Sequence, residues 1–341
     1  STAEVNPLFS DSVYIDRLSR IPAVMEMPYN DIVRKFIDMY AGRLRNQVSF
    51  MLSACNFYMP IFEEALDAYG LPLELKYLPI IESALNPSAV SRAGASGLWQ
   101  FMIGTGKIYG LESNSLIDER RDPIKATWAA ARYLKEMYDI YGDWNLVIAA
   151  YNCGPGTINK AIRRAGGETD YWKIYNLLPK ETRGYVPAFI AANYVMTYYC
   201  DHNICPMETN IPASTDTVQV TQNLHFEQIA ELCNVPLDEV KSLNPQYKKQ
   251  IIPGTTKPCT LRLPQGAISS LIDKQDTIYA HRADELFRNR KTVAVKEITP
   301  ATRRQTSAIA GKGKLTYYKI KSGDTLSSIA EKLGVRVRDI Q

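Results

Sequence analysis

The stretch "IIESALNPSAVSRAGASGLWQFM", Ile80 to Met102, contains the residues that most strongly indicate the fold and the candidate site of this chain. It holds one carboxylate, Glu82, then a run of small residues and an apolar segment with a single amide, Gln100. The preceding residues have the pattern of a helix that Pro87 cannot continue, which places Glu82 in its last turns. A helix C-terminus and apolar neighbours both disfavour ionisation, so Glu82 is a candidate general acid. The alternative is an ordinary surface glutamate.

The residues after Glu82 are suited to contact with a ligand. Gly94 and Gly97 allow the backbone to approach a bound molecule closely, and "LWQFM" offers an apolar wall with Gln100 as donor and acceptor. Such a wall suits the apolar face and N-acetyl group of a sugar. Two alternatives remain open, namely tight turns for the glycines and a place in the core for Trp99.

Around this stretch, the sequence from about 30 to 203 has apolar residues at helical spacing, with breaks at Gly, Pro and Asn clusters. Asp122 before Pro123 predicts a helix start, and the acids and arginines of "DERRD" predict a structural cluster of ion pairs and caps. No long alternating strand pattern occurs before residue 214. The first two hundred residues therefore predict a helical domain.

An internal repeat follows. Residues 218–241 align without a gap with residues 318–341, so that Ile229 falls on Ile329 and Val235 on Val335. Each copy begins with an alternating strand and continues into an amphipathic helix, which predicts two copies of one small module. The second copy stops at Gln341 before a second helix or closing strand, and we expect it to be truncated. The segment between the copies is basic and predicts a solvated linker.

Composition narrows the class of function. The chain has 341 residues, 45% hydrophobic residues and a net charge of +4, which is an ordinary soluble composition without the dense basic character of a nucleic-acid binder. No run of about 18 apolar residues is present, so no membrane span is predicted. The six cysteines are irregularly spaced and there are only three histidines, so the sequence predicts no metal site and no cofactor. Pairing of Cys200 with Cys205, or of Cys233 with Cys259, stays open.

The run "ES…AVSRAGASGLWQFMIGTG" resembles the catalytic signature of family 1 lytic transglycosylases. The segments "AAYNCGPG" and "ETRGYVPAFIAA" match its two later blocks in the same order. The tryptophan in "GLWQF", the block "DERRDPIKATWAAARYLK" and the repeats resemble the membrane-bound lytic transglycosylase D branch, in which a lysozyme-like domain precedes LysM modules. The enzyme resemblance covers roughly residues 10 to 207.

The resemblance implies a role for each matched residue. Glu82 would be the sole catalytic acid and base, and Tyr185 would lie near its carboxyl group. The expected substrate contacts are Ser91, Gln100, Met102, Asn152 and Tyr185, with Tyr151 and Gly154 as weaker candidates. In the second repeat, Gly323, Asp324 and Thr325 would contact glycan, whereas the first repeat departs from that "GDTL" start at Asn223-Leu224-His225-Phe226.

The implied reaction cleaves the β-1,4 bond between N-acetylmuramic acid and N-acetylglucosamine. Ordinary glycosidases use two carboxylates, but this signature has one, which is sufficient if the muramic C6 hydroxyl is the nucleophile. The expected product is a 1,6-anhydromuramyl end. The alternatives are a goose-type lysozyme-like hydrolase and an inactive wall-binding scaffold.

The predicted fold is mainly α, with a lysozyme-like (SLT) catalytic domain followed by small α+β LysM modules of βααβ order. The predicted segments are an N-terminal helical extension, the catalytic domain, the first LysM-like module, a helix with basic linker, and the second module, at 1–70, 71–207, 214–265, 266–314 and 315–341. The expected partners are peptidoglycan glycan strands, with no nucleic acid and no transmembrane segment. We expect a monomer in the periplasm or cell envelope, with outer-membrane association after signal removal as one arrangement.

Overall fold

The computed structural model describes residues 5–287. Within this range, apolar side chains form one core in a helical domain (residues 5–211) and another in a small domain (residues 214–287). The second repeat, with Gly323, Asp324 and Thr325, lies outside the described residues.

The helical domain consists of α-helices joined by turns and by two longer segments, residues 84–102 and 109–122. Its helices are α1 (Asp11–Ser19), α2 (Asp31–Ala41), α3 (Arg45–Ala68), α4 (Leu78–Ser83), α5 (Ile103–Ile108), α6 (Pro123–Tyr141), α7 (Trp144–Cys153), α8 (Pro155–Arg164), α9 (Tyr171–Ile174), α10 (Lys180–Arg183) and α11 (Tyr185–Tyr198). Before residue 214, the described part of the chain has only isolated β-bridges and no strand, as its helical spacing predicts.

Helix α11 is the centre of this domain. Every residue from Tyr185 to Met196 is buried, and the helix packs against α2, α4 and α7. A helix that is apolar all round has no solvent face, which is why it is surrounded by the others. Its first residue, Tyr185, is thereby fixed in the interior.

Polar residues and turns set where the long helices begin and end. The Asn30 side chain accepts hydrogen bonds from the Ile32 and Val33 amides and caps α2. Asp122 caps α6 in the same way, with Pro123 at the first helical position, and this confirms the predicted helix start.

The small domain combines two antiparallel strand pairs with two helices. Its elements run in the order β1 (Thr215–Val220), β2 (Asn223–His225), α12 (Phe226–Cys233), α13 (Leu237–Leu243), β3 (Ile251–Pro253) and β4 (Cys259–Pro264). Strand β1 pairs with β4 from Thr215↔Pro264 to Val220↔Cys259, and β2 pairs with β3.

Three short helices follow β4, namely α14 (Gln265–Asp273), α15 (Gln275–Ala280) and α16 (Ala283–Leu286). Ala267, Leu271 and Ile278 are buried in the core of the small domain. These helices fall in the first part of the segment that the sequence assigns to a helix and basic linker, and α14 and α15 pack against α12.

No disulfide bond is present among the described residues, so neither pairing that the sequence left open, Cys200 with Cys205 or Cys233 with Cys259, is formed. In the range 5–287, no helix combines the length and apolar character needed to cross a bilayer.

Candidate active site

Glu82 and Tyr185 meet inside the helical domain. Glu82 is the penultimate residue of α4, and Tyr185 is the first residue of α11. The Tyr185 hydroxyl donates a hydrogen bond to Oε1 of Glu82. Tyr185 is 8% exposed, whereas Glu82 as a residue remains partly accessible, so the hydrogen-bonded pair lies at the edge of the buried core.

The environment of Glu82 favours its protonated form. Burial raises the pKa of Glu82 to about 7, although the hydrogen bond from Tyr185 lowers it. Burial also raises the pKa of Tyr185 well above its usual value, and the charge of Glu82 adds to this rise. Tyr185 therefore stays a hydrogen-bond donor near neutral pH, where Glu82 is divided between its acid and base forms.

The end of α4 has an unusual backbone. The helix ends at Ser83, earlier than Pro87 requires, because Ala84 and Leu85 adopt φ values of +50° and +58°. Left-handed conformations cost non-glycine residues about 1–3 kcal/mol and cluster at functional sites. The Ser83 hydroxyl lies 2.9 Å from both the Pro79 and Leu98 carbonyl oxygens, which links α4 to the loop that follows.

The predicted contact residues Ser91, Gln100 and Met102 lie on that loop, residues 91–102. Ser91 closes a tight turn, since its Oγ accepts from the Ala95 amide at 3.0 Å. Gln100 has φ +52°, and its Nε2 donates to the Ala89 and Gly97 carbonyl oxygens. Because Nε2 is engaged by backbone, Oε1 is the part of the Gln100 amide available for a ligand.

The segment "LWQFM" is mostly core. Leu98 and Trp99 are fully buried, Phe101 is 3% exposed, and the Trp99 ring nitrogen donates to Thr127 Oγ1 at 2.9 Å. Met102 alone in this segment presents a large apolar side chain to solvent, with 46% exposed. The expected apolar wall is thus reduced to Met102, and the open alternative for Trp99, a core aromatic, is the one observed.

Helix α7 brings the second block to the same region. The Tyr151 hydroxyl donates to the Trp99 carbonyl oxygen at 2.6 Å. Burial raises the pKa of Tyr151 well above its usual value, and the charge of Glu82 adds to this rise. The neighbouring Asn152 is exposed, and its Oδ1 accepts from the Thr182 hydroxyl at 2.9 Å. Burial raises the pKa of the Cys153 thiol, which is consistent with a packing role for that residue.

The structure therefore joins all three sequence blocks around α4. Thr182 links the third block to the second through Asn152, and Ser83 links α4 to the loop within the first block; neither contact was predicted. Both lie within the matched segments, but a hydroxyl that bridges two distant segments leaves no periodic pattern in sequence. The roles of the contact residues remain predictions.

The chain matches three known protein families in order. Residues 59–174 match the family described as "Transglycosylase SLT domain". Residues 214–280 match "Lytic transglycosylase MltD, LysM-like domain", and residues 318–341 match "LysM domain". With the helices observed, these matches confirm the predicted mainly α, lysozyme-like fold followed by LysM-type domains.

Individual relatives agree with the family matches. The chain is 30% identical over 323 residues to the membrane-bound lytic murein transglycosylase D of Escherichia coli (strain K12), covering 93% of this chain and 66% of that protein. It is 33% identical over 124 residues to the soluble lytic murein transglycosylase of the same strain, covering 35% of this chain and 19% of that protein.

Among solved structures, the 70-kDa soluble lytic transglycosylase from Escherichia coli is 28% identical, with a TM-score of 0.37 over 43% of this chain and 25% of that chain. This chain spans a little under two thirds of the transglycosylase D relative, at 66% of its length. The chain thus has an SLT domain followed by LysM-type domains, and over 93% of its length it is similar to membrane-bound lytic murein transglycosylase D.

Proposed function

We propose that this chain is a peptidoglycan lytic transglycosylase. It would cleave the β-1,4 bond between N-acetylmuramic acid and N-acetylglucosamine by intramolecular attack and leave a 1,6-anhydromuramyl end. The observation that carries the proposal is a single carboxyl group, Glu82, whose pKa burial raises to about 7 and whose one side-chain partner is Tyr185.

The pKa of Glu82 has no contribution from a close second carboxylate, which favours ring closure over a retaining hydrolysis. A retaining glycosidase needs a second carboxyl group about 5–5.5 Å away, and an inverting one needs it about 6.5–9.5 Å away. A charged neighbour at the shorter distance would raise the pKa of Glu82 further. Among the described residues, only burial and the Tyr185 hydrogen bond account for that pKa, with no contribution from another carboxylate.

In the first half of the reaction, Glu82 acts as the acid. Since Oε1 accepts the Tyr185 hydrogen bond, the acidic proton is carried by Oε2. Oε2 would deliver this proton to the glycosidic oxygen as the bond to the muramic C1 breaks. The N-acetyl group of the same sugar would stabilise the positive charge that develops at C1.

In the second half, the same carboxylate acts as the base. Tyr185 stabilises the ionised form by its hydrogen bond, so Glu82 can hold the negative charge until the C6 hydroxyl attacks C1. The hydroxyl proton then returns to Glu82, which restores the starting enzyme. The nucleophile belongs to the substrate, so little entropy is lost in bringing it to the reacting carbon.

The remaining roles follow the same proposal. Ser91, Gln100, Met102 and Asn152 would contact the glycan around Glu82. The LysM-type repeats would bind glycan strands, with Gly323, Asp324 and Thr325 of the second repeat as contacts. We also propose a monomer that acts in the cell envelope, because peptidoglycan lies outside the cytoplasmic membrane and a relative of this chain is named membrane-bound.

Product analysis tests the proposal directly. Purified peptidoglycan is digested with the protein, and the muropeptides released are analysed by mass spectrometry. Anhydromuramyl ends, lighter than reducing ends by one water, are expected. Reducing muramic ends would establish a hydrolase, and no release of muropeptides by the folded protein would establish a wall-binding scaffold.

A further inference from the structure

Residues 112–121 belong to the helical domain but pack against the small domain. It follows α5 and contains Leu116 and Ile117, each 4% exposed and packed in the core of the small domain. Ile117 forms an antiparallel bridge with Tyr247. Two apolar side chains of one domain thus serve as core residues of the other.

Backbone hydrogen bonds on both sides of this bridge fix the register. The Asp118 amide donates to the Gln246 carbonyl oxygen at 2.8 Å, and the Lys248 amide donates to the Leu116 carbonyl oxygen at 2.8 Å. On the small domain, the Lys257 ammonium lies between the carboxylates of Glu112 and Glu119. The contact therefore combines buried apolar area, main-chain pairing and opposite charges.

The other side of the same segment holds the candidate active-site loop. The Asp118 carboxylate accepts two hydrogen bonds from the Arg120 guanidinium, at 2.9 and 2.8 Å, and both side chains are buried. Nη1 of Arg120 donates to the carbonyl oxygens of Gly94 and Phe101, at 2.8 and 3.0 Å. Because this paired, buried guanidinium joins two ends of the loop, it fixes the loop's width.

The loop and the segment also interlock sterically. A Cβ atom added to Gly97 would lie 1.7 Å from the Arg120 carbonyl oxygen, and Gly97 has φ +88°. The Gly97 carbonyl oxygen in turn accepts from Nε2 of Gln100 at 2.9 Å. A displacement of residues 118–121 would consequently move the backbone that holds Gln100.

We propose that the small domain is part of the catalytic unit, because its docking on residues 112–121 positions the glycan-contacting loop through Asp118 and Arg120. These two are positioning residues, since they act on the substrate through the loop. The inference rests on the proposed function for its substrate and adds a second task to a repeat whose departure from "GDTL" already sets it apart.

The test uses the whole chain and measures amide hydrogen exchange at two places. Exchange at Lys248 reports whether the small domain is docked, and exchange in residues 94–101 reports whether the loop is ordered. Lys257→Glu places a third carboxylate beside Glu112 and Glu119, whereas Lys257→Arg keeps the charge. Lys274→Glu makes the same charge change on the small domain, where Lys274 contacts the Leu232 carbonyl of its own domain. If the Lys248 amide stays protected in Lys257→Glu, Tyr247→Asp replaces it as the variant that opens the interface.

The variant that opens the interface should show faster amide hydrogen exchange at Lys248 and in residues 94–101. The amides of α11 should exchange as slowly as in the parent protein. Its KM for peptidoglycan should rise and its kcat/KM should fall about tenfold or more, because small displacements of positioning groups have large effects. A loss of folded molecules alone would lower the apparent kcat and leave KM unchanged. Lys257→Arg and Lys274→Glu should match the parent.

Arg120→Lys tests the second half of the coupling. It keeps a positive charge for Asp118 but lacks the planar fork, so exchange in residues 94–101 and KM should rise while Lys248 stays protected. The inference would be overturned if a variant with an open interface kept the parent's amide hydrogen exchange in residues 94–101 and the parent's KM for peptidoglycan. That result differs from failure of the proposed function, in which the parent itself would release no anhydromuropeptides.

Discussion

The Tyr185 hydroxyl donates to Glu82 Oε1 although the two residues are 103 positions apart in sequence. The acid at the end of α4 is therefore oriented by the first residue of the buried helix α11. Burial raises the pKa of Glu82, and the hydrogen bond from Tyr185 to Oε1 opposes that rise and leaves Oε2 to carry the proton in the proposed mechanism.

Replacing Glu82 tests its role as the acid and base. Glu82→Gln keeps the size and the acceptor for Tyr185 but has no transferable proton, so release of anhydromuropeptides should fall by about 10²–10⁴-fold. The measurement is muropeptide release per folded protein, with circular dichroism as the control for folding. Clearance of purified wall at the parental rate would show that another group does the chemistry.

Tyr185→Phe removes the hydrogen bond that lowers the pKa of Glu82. The pKa of Glu82 should rise, and the alkaline limb of the pH profile of kcat should move to higher pH, while kcat falls because the carboxylate form loses its donor. Tyr171→Phe is the matched control, since the Tyr171 hydroxyl donates to the Arg183 carbonyl oxygen. If the alkaline limb does not shift in Tyr185→Phe, the Tyr185 hydrogen bond does not affect the pKa of Glu82.

Protonation of Glu82 should also be visible in stability. The folded-state pKa of Glu82, about 7, lies above the value of 4.5 expected in the unfolded chain, so the folded protein binds this proton more tightly than the unfolded chain does. The stabilisation from proton binding is complete below the unfolded-state pKa and is lost as the pH rises through about 7. The cost of ionisation is up to about 3 kcal/mol. Glu82→Gln should thus be more stable than the parent at about pH 8 and similar to it at about pH 4, in thermal unfolding of both proteins. Equal differences at both pH values would contradict the raised pKa.

Gly97→Ala tests the close contact between the loop and residues 118–121. The added methyl group would clash with the Arg120 backbone, which cannot move as a flexible side chain would, so a loss of several kcal/mol in unfolding free energy is expected. Gly94→Ala is the control, because φ is +91° there and nothing lies within 4 Å of the added atom. Its cost should be only about 1–2 kcal/mol of backbone strain. Similar Tm values for the two variants would show that the loop can relax away from Arg120.

Asn152→Ala tests a predicted substrate contact that contributes little to packing. Asn152 is exposed and has one hydrogen bond, from Thr182, so unfolding free energy should change by about 1 kcal/mol or less while KM rises. Thr182→Val removes the same bond but leaves the amide in place. If Thr182→Val raises KM as much as Asn152→Ala, the amide acts only through its orientation.

The candidate site residues could be named from the sequence because their blocks are contiguous and occur in a characteristic order. The contact between Glu82 and Tyr185 agrees with the expected proximity. The helical spacing around Asp122 and the alternating pattern of β1 also predict what is observed, since periodicity reflects which face of an element is buried.

Other features depend on tertiary packing and have no local signal. Ala84, Leu85 and Gln100 adopt left-handed conformations without the glycine or asparagine that usually marks them, so neither the end of α4 nor the direction of Gln100 follows from propensity. Leu116 and Ile117 form an apolar pair in a loop, with no period to show which core they join. Only the folded chain shows that this core is in the small domain.

The burial of α11 on all sides has a consequence for how the enzyme loses activity. A helix at the centre of a core opens only when the whole cooperative unit opens, so the contact of Tyr185 with Glu82 should not fray locally. In a denaturant titration, the residual activity should therefore fall in proportion to the fraction of folded protein, while the activity per folded molecule stays constant.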